Sequence, residues 1–108
     1  MPLDNPTAKG AAITSGNYTG DNAANKAIAH GLTETPKIVL IVNNTQGQIY
    51  WYRIFGAIAK ITFITATGVN GFYAVTIANS TNFYVGDGVN HMNSANLLNE
   101  VFYWIAIA

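Results

Sequence analysis

The apolar positions of this chain fall in short runs and alternations with the two-residue period of β-strands rather than the longer period of helices. Residues 37–42 form a continuous, mostly β-branched run between Pro36 and a turn-prone segment at 43–47. A run of this kind predicts a strand that is buried on both faces. The aromatic-rich residues 48–55 predict the next strand, and Gly56 predicts a bend or bulge after it.

Turn residues divide the rest of the chain into further short strands. Asn70 and Gly71 give the strongest hairpin signal, because both central residues of a tight hairpin turn need a positive φ. Segment 21–31 fits either a short helix or, as we prefer, a strand over 25–30. The remaining predictions are an irregular edge strand at 11–19, strands at 58–67, 72–78, 81–85 and 100–108, a tight turn at 86–88, and a loop at 89–99 with one helical turn at 94–98.

These elements predict an all-β fold in one domain, since 108 residues leave no room for a second core. Seven or eight short strands separated by regular turns are typical of an antiparallel β-sandwich. We expect a sandwich of about six to eight strands over residues 17–108. Residues 1–16 are expected to form an extended N-terminal arm.

Composition adds that the surface of this sandwich is unusually poor in charge. Only 9% of the residues are charged, against about 25% in an average soluble domain, while 50% are apolar. The 13 Asn, 11 Thr and 10 Gly suit strands and tight turns. An open surface of this kind dissolves poorly, so we expect other chains to cover part of it.

Several classes of protein are excluded by the same counts. A net charge of zero argues against nucleic-acid binding and against a polybasic membrane patch. The apolar runs are far shorter than the roughly 20 residues that span a bilayer, and the N-terminus lacks the pattern of a secretory signal. The absence of cysteine excludes disulfide scaffolds, thiolate zinc sites and cysteine nucleophiles.

Two of the predicted strands are apolar on both sides. Along the last strand, Phe102 and Trp104 alternate with Tyr103 and Ile105, and the strand at 48–55 behaves in the same way. A two-layer sandwich of this size has a single interior, so the second apolar sides need a partner, most simply a copy of the same chain. We expect an obligate, cyclic homo-oligomer. Its predicted interface residues are Tyr50, Tyr52, Tyr103, Ile105 and Ile107.

The sequence predicts no enzyme, no metal site and no cofactor. The five carboxylates are scattered and lie mostly beside turn residues, without the paired arrangement of a glycosidase. His30 and His91 are far apart and have no acidic neighbour at a metal-ligand spacing. No phosphate-binding glycine loop and no serine nucleophile elbow occurs.

Carbohydrate binding is the one ligand chemistry for which the chain has suitable groups. Sugars bind to aromatic faces and to polar side chains that hydrogen-bond with hydroxyls. The alternative, which we favour, is that the loop asparagines satisfy backbone groups and that the aromatic residues fill the core and subunit contacts. The candidate ligand-binding residues are Trp51, Arg53, Tyr84, Asp87, Asn90, His91 and Asn93, with Tyr52 and Asn96 beside them.

Four segments resemble a known family. Residues 27–41 (AIAHGLTETPKIVLI) are similar to the I-x-H-G-L-x-x-T-P-K-x-V stretch of small β domains in bacteriophage fibre and head- or tail-associated proteins. Residues 18–25 (YTGDNAAN), 81–86 (TNFYVG) and 102–107 (FYWIAI) resemble that family's Y-T-G-x-G-x-A-N, T-N-F-Y-V-G and Y-Y-W-x-A-I. More distantly, residues 35–39, 70–72 and 104–106 look like the H-type lectin fold, a six-stranded antiparallel sandwich that trimerises.

The resemblance implies a virion component made in the host cytoplasm: a trimeric head- or tail-fibre, decoration or receptor-binding module. Its partners would be two further copies of the chain, a capsid or tail protein bound through the arm, and a host-surface glycan. The resemblance to H-type lectins implies a second reading, a lectin that stands alone. No ligand residue of those lectins is matched onto this chain.

Overall fold

The computed structural model describes residues 12–45, 47–65 and 68–108, with the backbone alone at Phe55 and Asn70. These ranges contain eight strands and no helix, and hence none long and apolar enough to cross a membrane. The all-β prediction is confirmed. The strands are β1 (Ile13–Thr19), β2 (Ala24–Ala29), β3 (Ile38–Asn43), β4 (Ile49–Phe55), β5 (Ile58–Thr65), β6 (Gly68–Val75), β7 (Asn82–Asp87) and β8 (Val101–Ile107).

The strands form two antiparallel sheets of unequal size. Six of them make the large sheet, in the order β1-β8-β3-β4-β5-β6, and β2 pairs with β7 in the small sheet. The predicted edge strand at 11–19 corresponds to β1, which pairs only with β8 among the described strands. The small sheet covers one side of the large sheet, here called the inner face, and the arrangement is sandwich-like.

Aromatic rings fill the space between the two sheets. Phe83 of β7 is fully buried, with its ring centroid 5.8 Å from that of Tyr52 on β4 and 5.4 Å from that of Trp104 on β8. Nearby, Phe102 stacks on Tyr18 at 5.1 Å and meets Tyr50 edge-on at 5.9 Å. The core is therefore built mainly from rings on the inner face of the large sheet.

Three core tyrosines also hold irregular segments against the inner face. The hydroxyl of Tyr18 donates a 2.6 Å hydrogen bond to the carbonyl of Ala95, and that of Tyr50 donates a 2.8 Å bond to the carbonyl of Met92. Tyr52 donates in the same way to Thr76. Burial raises the pKa of all three phenols, so they stay neutral donors. Each hydroxyl thus satisfies a loop carbonyl.

The prediction that the run at 37–42 is buried on both faces is wrong for the single chain. β3 alternates strictly: Val39 and Ile41 are buried, whereas Ile38, Leu40 and Val42 are 39–41% exposed. The cause is that the small sheet covers only one face of the large one. Every side chain on the other side of β3 is therefore open in the single chain.

The hairpin predicted at Asn70 and Gly71 is also wrong. Both residues lie inside β6, because the chain already reverses between Thr65 and Gly68, which face each other in the β5–β6 register. Thr62 faces Phe72 and Ile64 faces Val69, so two residues of β6 stand opposite one residue of β5. The pair forms a β-bulge, and the φ of Gly71, +139°, suits this irregularity.

The remaining predictions differ mostly in their bounds. The ambiguous segment 21–31 contains a strand, as preferred. The helical turn expected at 94–98 is absent, because a non-helical turn at 91–95 takes its place. The strand predicted at 81–85 continues through Asp87. Of the arm expected over residues 1–16, residues 13–16 belong to β1, and residues 1–11 lie outside the described residues.

Candidate functional site

The side of the large sheet that faces away from the small sheet, here called the outer face, is apolar and open. Every exposed large apolar side chain on the described strands points to it, as the strand registers show. No described segment covers this side. These side chains are Ile13, Ile38, Leu40, Val42, Ile49, Trp51, Ile58, Val69, Phe72, Tyr103 and Ile105.

The strand registers bring these side chains into continuous rows across the sheet. Leu40 stands between Ile105 of β8 and Trp51 of β4. Val42, two positions further along β3, stands between Tyr103 and Ile49 in the same way. Because cross-strand partners on one face touch, the apolar residues form one surface rather than isolated exposed positions.

A shallow groove of about 510 Å³ runs along the part of this surface formed by β1, β8, β3 and β4. Its lining is mostly apolar, and Ser15 and Asn17 of β1 contribute a few polar groups. On the opposite, inner side of β1, a Cβ at Gly16 would stand 2.7 Å from the Trp104 ring, so this position requires glycine. The groove is lined by Ser15, Gly16, Asn17, Leu40, Val42, Ile49, Tyr103, Trp104 and Ile105.

Among the charged residues of the described strands, Arg53 and Lys60 alone lie on the outer face. The Arg53 guanidinium lies 4.5 Å from the centroid of the Trp51 ring, within the range of a cation–π contact. Both cations stand on the β4–β5 pair, beyond the groove. The groove itself is uncharged.

The loop that was predicted to bind a ligand contains many internal hydrogen bonds. The carboxylate of Asp87 accepts hydrogen bonds from the amides of Val89 and Asn90, from the Asn90 side chain at 2.8 Å and from the Ser94 hydroxyl. Burial alone would raise the pKa of Asp87, but these donors outweigh it and hold the pKa below its ordinary value. The hydrogen bonds of Asp87 and Asn90 therefore stabilise the conformation of this loop.

Asn96, on the same loop, joins it to the start of the small sheet. Its buried amide accepts from the backbone N–H of Asp21 and donates to the Asp21 carboxylate and to the Ala23 carbonyl, both at 2.8 Å. Hydrogen bonds from Ala23 and Asn96 lower the pKa of Asp21, with a smaller contribution from Lys26 at 3.2 Å. This network has the structural role that the alternative reading of the asparagines predicts.

The seven predicted ligand-binding residues occupy three separate places. Trp51 and Arg53 lie on the outer face, whereas the 87–93 loop packs against the opposite side through the Tyr50–Met92 hydrogen bond. Tyr84 lies on the small sheet, where its hydroxyl accepts a 3.2 Å hydrogen bond from Asn79. A single site that contains all seven does not exist in this chain.

Within that loop, the last two candidates are partly buried. Asn93 donates a 3.0 Å hydrogen bond to the Tyr73 hydroxyl. The Nδ1 atom of His91 is buried and has no hydrogen-bond partner among the residues that the structure describes. Neither side chain is directed to the outer face.

The predicted interface residues divide between the two faces. Tyr50 and Tyr52 are fully buried in the core of their own chain, so placing them at a subunit contact is wrong for this side of β4. Tyr103 and Ile105 are each 47% exposed on the outer face, and Ile107 is half-buried on the same side. These three remain available to a partner.

Sequence reasoning missed most of the outer face. Leu40, Val42 and Phe72 were not singled out, although the alternation of apolar residues along their strands was visible. The missing information was the register, which places them beside Trp51 and Ile105. Lys60 was missed for the same reason, because only the β4–β5 pairing sets it opposite Arg53.

The described residues hold no group of three or more His, Cys, Asp or Glu side chains that could bind a metal ion. Comparisons with protein-family models, with curated proteins and with solved structures found no match to this chain.

Proposed function

We propose that the protein is a structural or adhesion module of a bacteriophage particle, a head- or tail-fibre or decoration unit that assembles as a homotrimer through its outer face. The observation that carries the proposal is the open apolar outer face, centred on Leu40 and Ile105. An apolar surface of this extent is unfavourable in water and is typical of a protein–protein contact.

The size of the outer face suits association with other copies of the chain. Six strands about 4.8 Å apart and three rows of side chains about 7 Å apart give roughly 600 Å². Specific interfaces bury about 600–1,000 Å² per partner, so the outer face reaches the lower end of this range, and obligate homo-oligomers are the more apolar class. The uncharged groove suits an equally uncharged surface, which a second copy provides.

The assignment to a phage particle rests on the sequence motifs. The segments at 27–41, 81–86 and 102–107 resemble domains of fibre and head- or tail-associated proteins. The apolar residues of these three segments lie largely in β3, β7 and β8, respectively. In this proposal a capsid or tail protein binds the segment of the chain that precedes β1, and the assembled trimers stand at the particle surface.

Labelling of purified virions tests the virion assignment. A tagged copy should co-purify with particles through density-gradient centrifugation, and antibody labelling should place it at a head or a tail in electron micrographs. Deleting residues 2–10 should release the protein from particles without unfolding it. A protein that is absent from purified particles would contradict the assignment.

Carbohydrate binding by a stand-alone lectin of H-type fold is the second candidate. The observation that favours it is the partly exposed Trp51 ring, over one face of which the Arg53 guanidinium lies at 4.5 Å, so that an aromatic side chain and hydrogen-bond donors meet at the surface. A glycan array tests it with the unmodified chain and with Trp51→Ala and His91→Ala. Binding that is lost in Trp51→Ala and kept in His91→Ala would place the sugar on the outer face. A silent array would reject the lectin.

A further inference from the structure

Pairing between the strands arranges the outer face in rows that cross all six strands of the large sheet. The row through Leu40 consists of Ser15, Ile105, Leu40, Trp51, Thr62 and Phe72. The adjacent row consists of Asn17, Tyr103, Val42, Ile49, Ile64 and Val69. Each of these rows begins with a small polar residue on β1 and ends with an apolar residue on β6.

The two edges of the large sheet are therefore chemically unlike on the outer face. Ser15 and Asn17 on β1 are exposed polar side chains. Phe72 and Val69 on β6 are apolar and are 53% and 58% exposed. A closed ring of three copies joins two different surfaces of neighbouring chains, because its contacts are head-to-tail. The unlike edges suit such a ring, with β1 of one copy beside β6 of the next.

β1 also lacks the features that normally keep other chains away from an edge strand. Natural edge strands often carry a charged residue, a proline or a bulge. β1 contains no charged residue and no proline, and it pairs with β8 without a break from Ile13 to Thr19. The β6 edge does have a bulge, between its pairings with Thr62 and Ile64, so we expect contacts there through side chains rather than through the backbone. Within the part of the chain that the structure describes, the β1 edge is open to a neighbouring copy.

The width of the outer face suits a centre that three copies share. Two copies packed face to face would cover each other and leave no apolar face for a third, whereas three equivalent faces cover one another as the sides of a prism. Six strands about 4.8 Å apart give sides of roughly 24–29 Å, whose midpoints lie about 7–8 Å from the axis. Side chains between stacked sheets each span only about 5 Å, so the centre needs larger ones. Trp51 and Leu40 lie on the two central strands, β4 and β3.

We propose that the three outer faces form a three-sided prism in which β1 of each copy contacts β6 of the next. The Leu40 row then surrounds the axis, with Trp51 and Leu40 at the centre and Ser15 beside Phe72 of the partner subunit at each corner. The partners are two further copies of this chain, and each corner joins two different edges. The inference rests on the proposed homotrimer and is independent of the virion assignment.

The charged residues of the outer face fit this arrangement. Arg53 and Lys60 belong to a third row, which includes the terminal residues of three other strands, Ile13, Ile38 and Ile107. This row lies at one end of the sheet, where a prism opens to water. Both cations therefore stay hydrated at the tips of their side chains, while the Leu40 row is covered.

Cross-linking between introduced cysteines tests the proposal, because the sequence contains no cysteine of its own. The double variant Ser15→Cys/Phe72→Cys places one thiol at each end of the Leu40 row. In the prism, each thiol on β1 lies beside a thiol on β6 of the next copy. A short bismaleimide should therefore close a covalent ring, and a denaturing gel should show a main product of three times the chain mass.

The two single variants are the matched controls. Neither Ser15→Cys nor Phe72→Cys should be cross-linked, since identical edges stand roughly 24 Å apart in the prism, beyond the reach of a short linker. Adding Leu40→Lys to the double variant should abolish the trimer product. Asn17→Cys/Val69→Cys, at the ends of the adjacent row, tests the same contact if the first pair disturbs the fold in far-ultraviolet circular dichroism.

The outcomes separate the prism from the homotrimer on which it rests. A main product of twice the chain mass would show a face-to-face pair, and a ladder beyond three copies would show an open chain; either would overturn the prism. Absence of any cross-linked product from both pairs, in a protein that sediments as three copies, would overturn the prism and leave the homotrimer. A protein that sediments as a monomer would overturn the proposed function itself.

Discussion

The inner and outer faces of the large sheet are both apolar, yet they differ in whether loops of the same chain cover them and form hydrogen bonds with their side chains. On the inner face, Tyr18 and Tyr50 each combine a buried ring with a hydroxyl that donates a hydrogen bond to a loop carbonyl. On the outer face, aliphatic residues such as Leu40 and Ile105 predominate, and no described segment crosses them. The first face is covered within the chain, whereas the second is left open by every segment that the structure describes.

This difference shows that apolar alternation alone does not reveal which side of a strand is the interior. Along β4, Tyr50 and Tyr52 alternate with Ile49 and Trp51, so the sequence makes both sides apolar enough to form a core. What decides is which face the small sheet and its loops cover, and on that face the loop carbonyls of Ala95 and Met92 accept hydrogen bonds from the phenols.

The largest effect is expected from neighbouring residues on opposite faces of β8. Phe102→Ala removes a fully buried ring that stacks on Tyr18 and should lower the free energy of unfolding by about 3–5 kcal/mol. Tyr103→Ala, one position later on the outer face, should lower it by less than about 1 kcal/mol once the chain is diluted to monomers. Urea unfolding at low concentration measures both. Equal losses would contradict the contrast between the faces.

Leu40→Lys should break association without breaking the fold. It places a charge at the centre of the outer face, where a desolvated contact would otherwise form, and should raise the dissociation constant at least about 100-fold. Far-ultraviolet circular dichroism should stay unchanged, because Leu40 makes no part of the inner core. Thr33→Lys, on an exposed loop, is the matched control. If Leu40→Lys associates as the unmodified chain does, another surface holds the copies together.

Tyr50→Phe measures the contribution of one hydrogen bond on the inner face, the bond from the Tyr50 hydroxyl to the Met92 carbonyl. It keeps the ring and deletes the hydroxyl that donates to Met92, leaving that carbonyl without its 2.8 Å hydrogen bond. The free energy of unfolding should fall by about 1–2 kcal/mol. Tyr103→Phe, which removes an exposed hydroxyl, should change it by less than about 0.5 kcal/mol. Equal effects of the two substitutions in thermal unfolding would show that the Tyr50–Met92 hydrogen bond contributes nothing to stability.

The sequence predicted most strands because their apolar runs are short and bounded by turn residues. β3 at Ile38–Asn43 lies within one residue of the predicted 37–42, and the ambiguous segment 21–31 does contain a strand. The turn at Asn70 was misplaced because a glycine with positive φ serves a bulge as well as a hairpin. The conformational preference of an Asn-Gly pair does not distinguish a β-bulge from a hairpin turn.

The candidate site was predicted less well, since it depends on pairing between strands. Two-sided apolar strands were recognised, but Tyr50 was assigned to the wrong side. Asp87 and Asn90 were taken for ligand groups, although their hydrogen bonds close their own loop. The Arg53–Lys60 pair comes from the β4–β5 register alone, and no spacing along the chain indicates it.

The smallest expected effect is a dependence of stability on acid. Hydrogen bonds within the fold lower the pKa of Asp21 and Asp87, so each carboxylate stabilises the folded state above its unfolded pKa of about 4. That stability should be lost as the pH falls through the lower folded pKa values. Urea unfolding between pH 7 and pH 3 measures the decline. It should be shallower in Asp87→Asn, and an identical decline in that variant would contradict the role of the loop carboxylate.

Sedimentation equilibrium of the unmodified protein tests most directly whether further copies of the chain cover the outer face. Between about 1 and 50 µM, the account predicts a single species with three times the mass of the chain, which shifts to monomer in Leu40→Lys. A folded monomer over the whole range would contradict it, because the exposed apolar rows would then be stable in water without a partner.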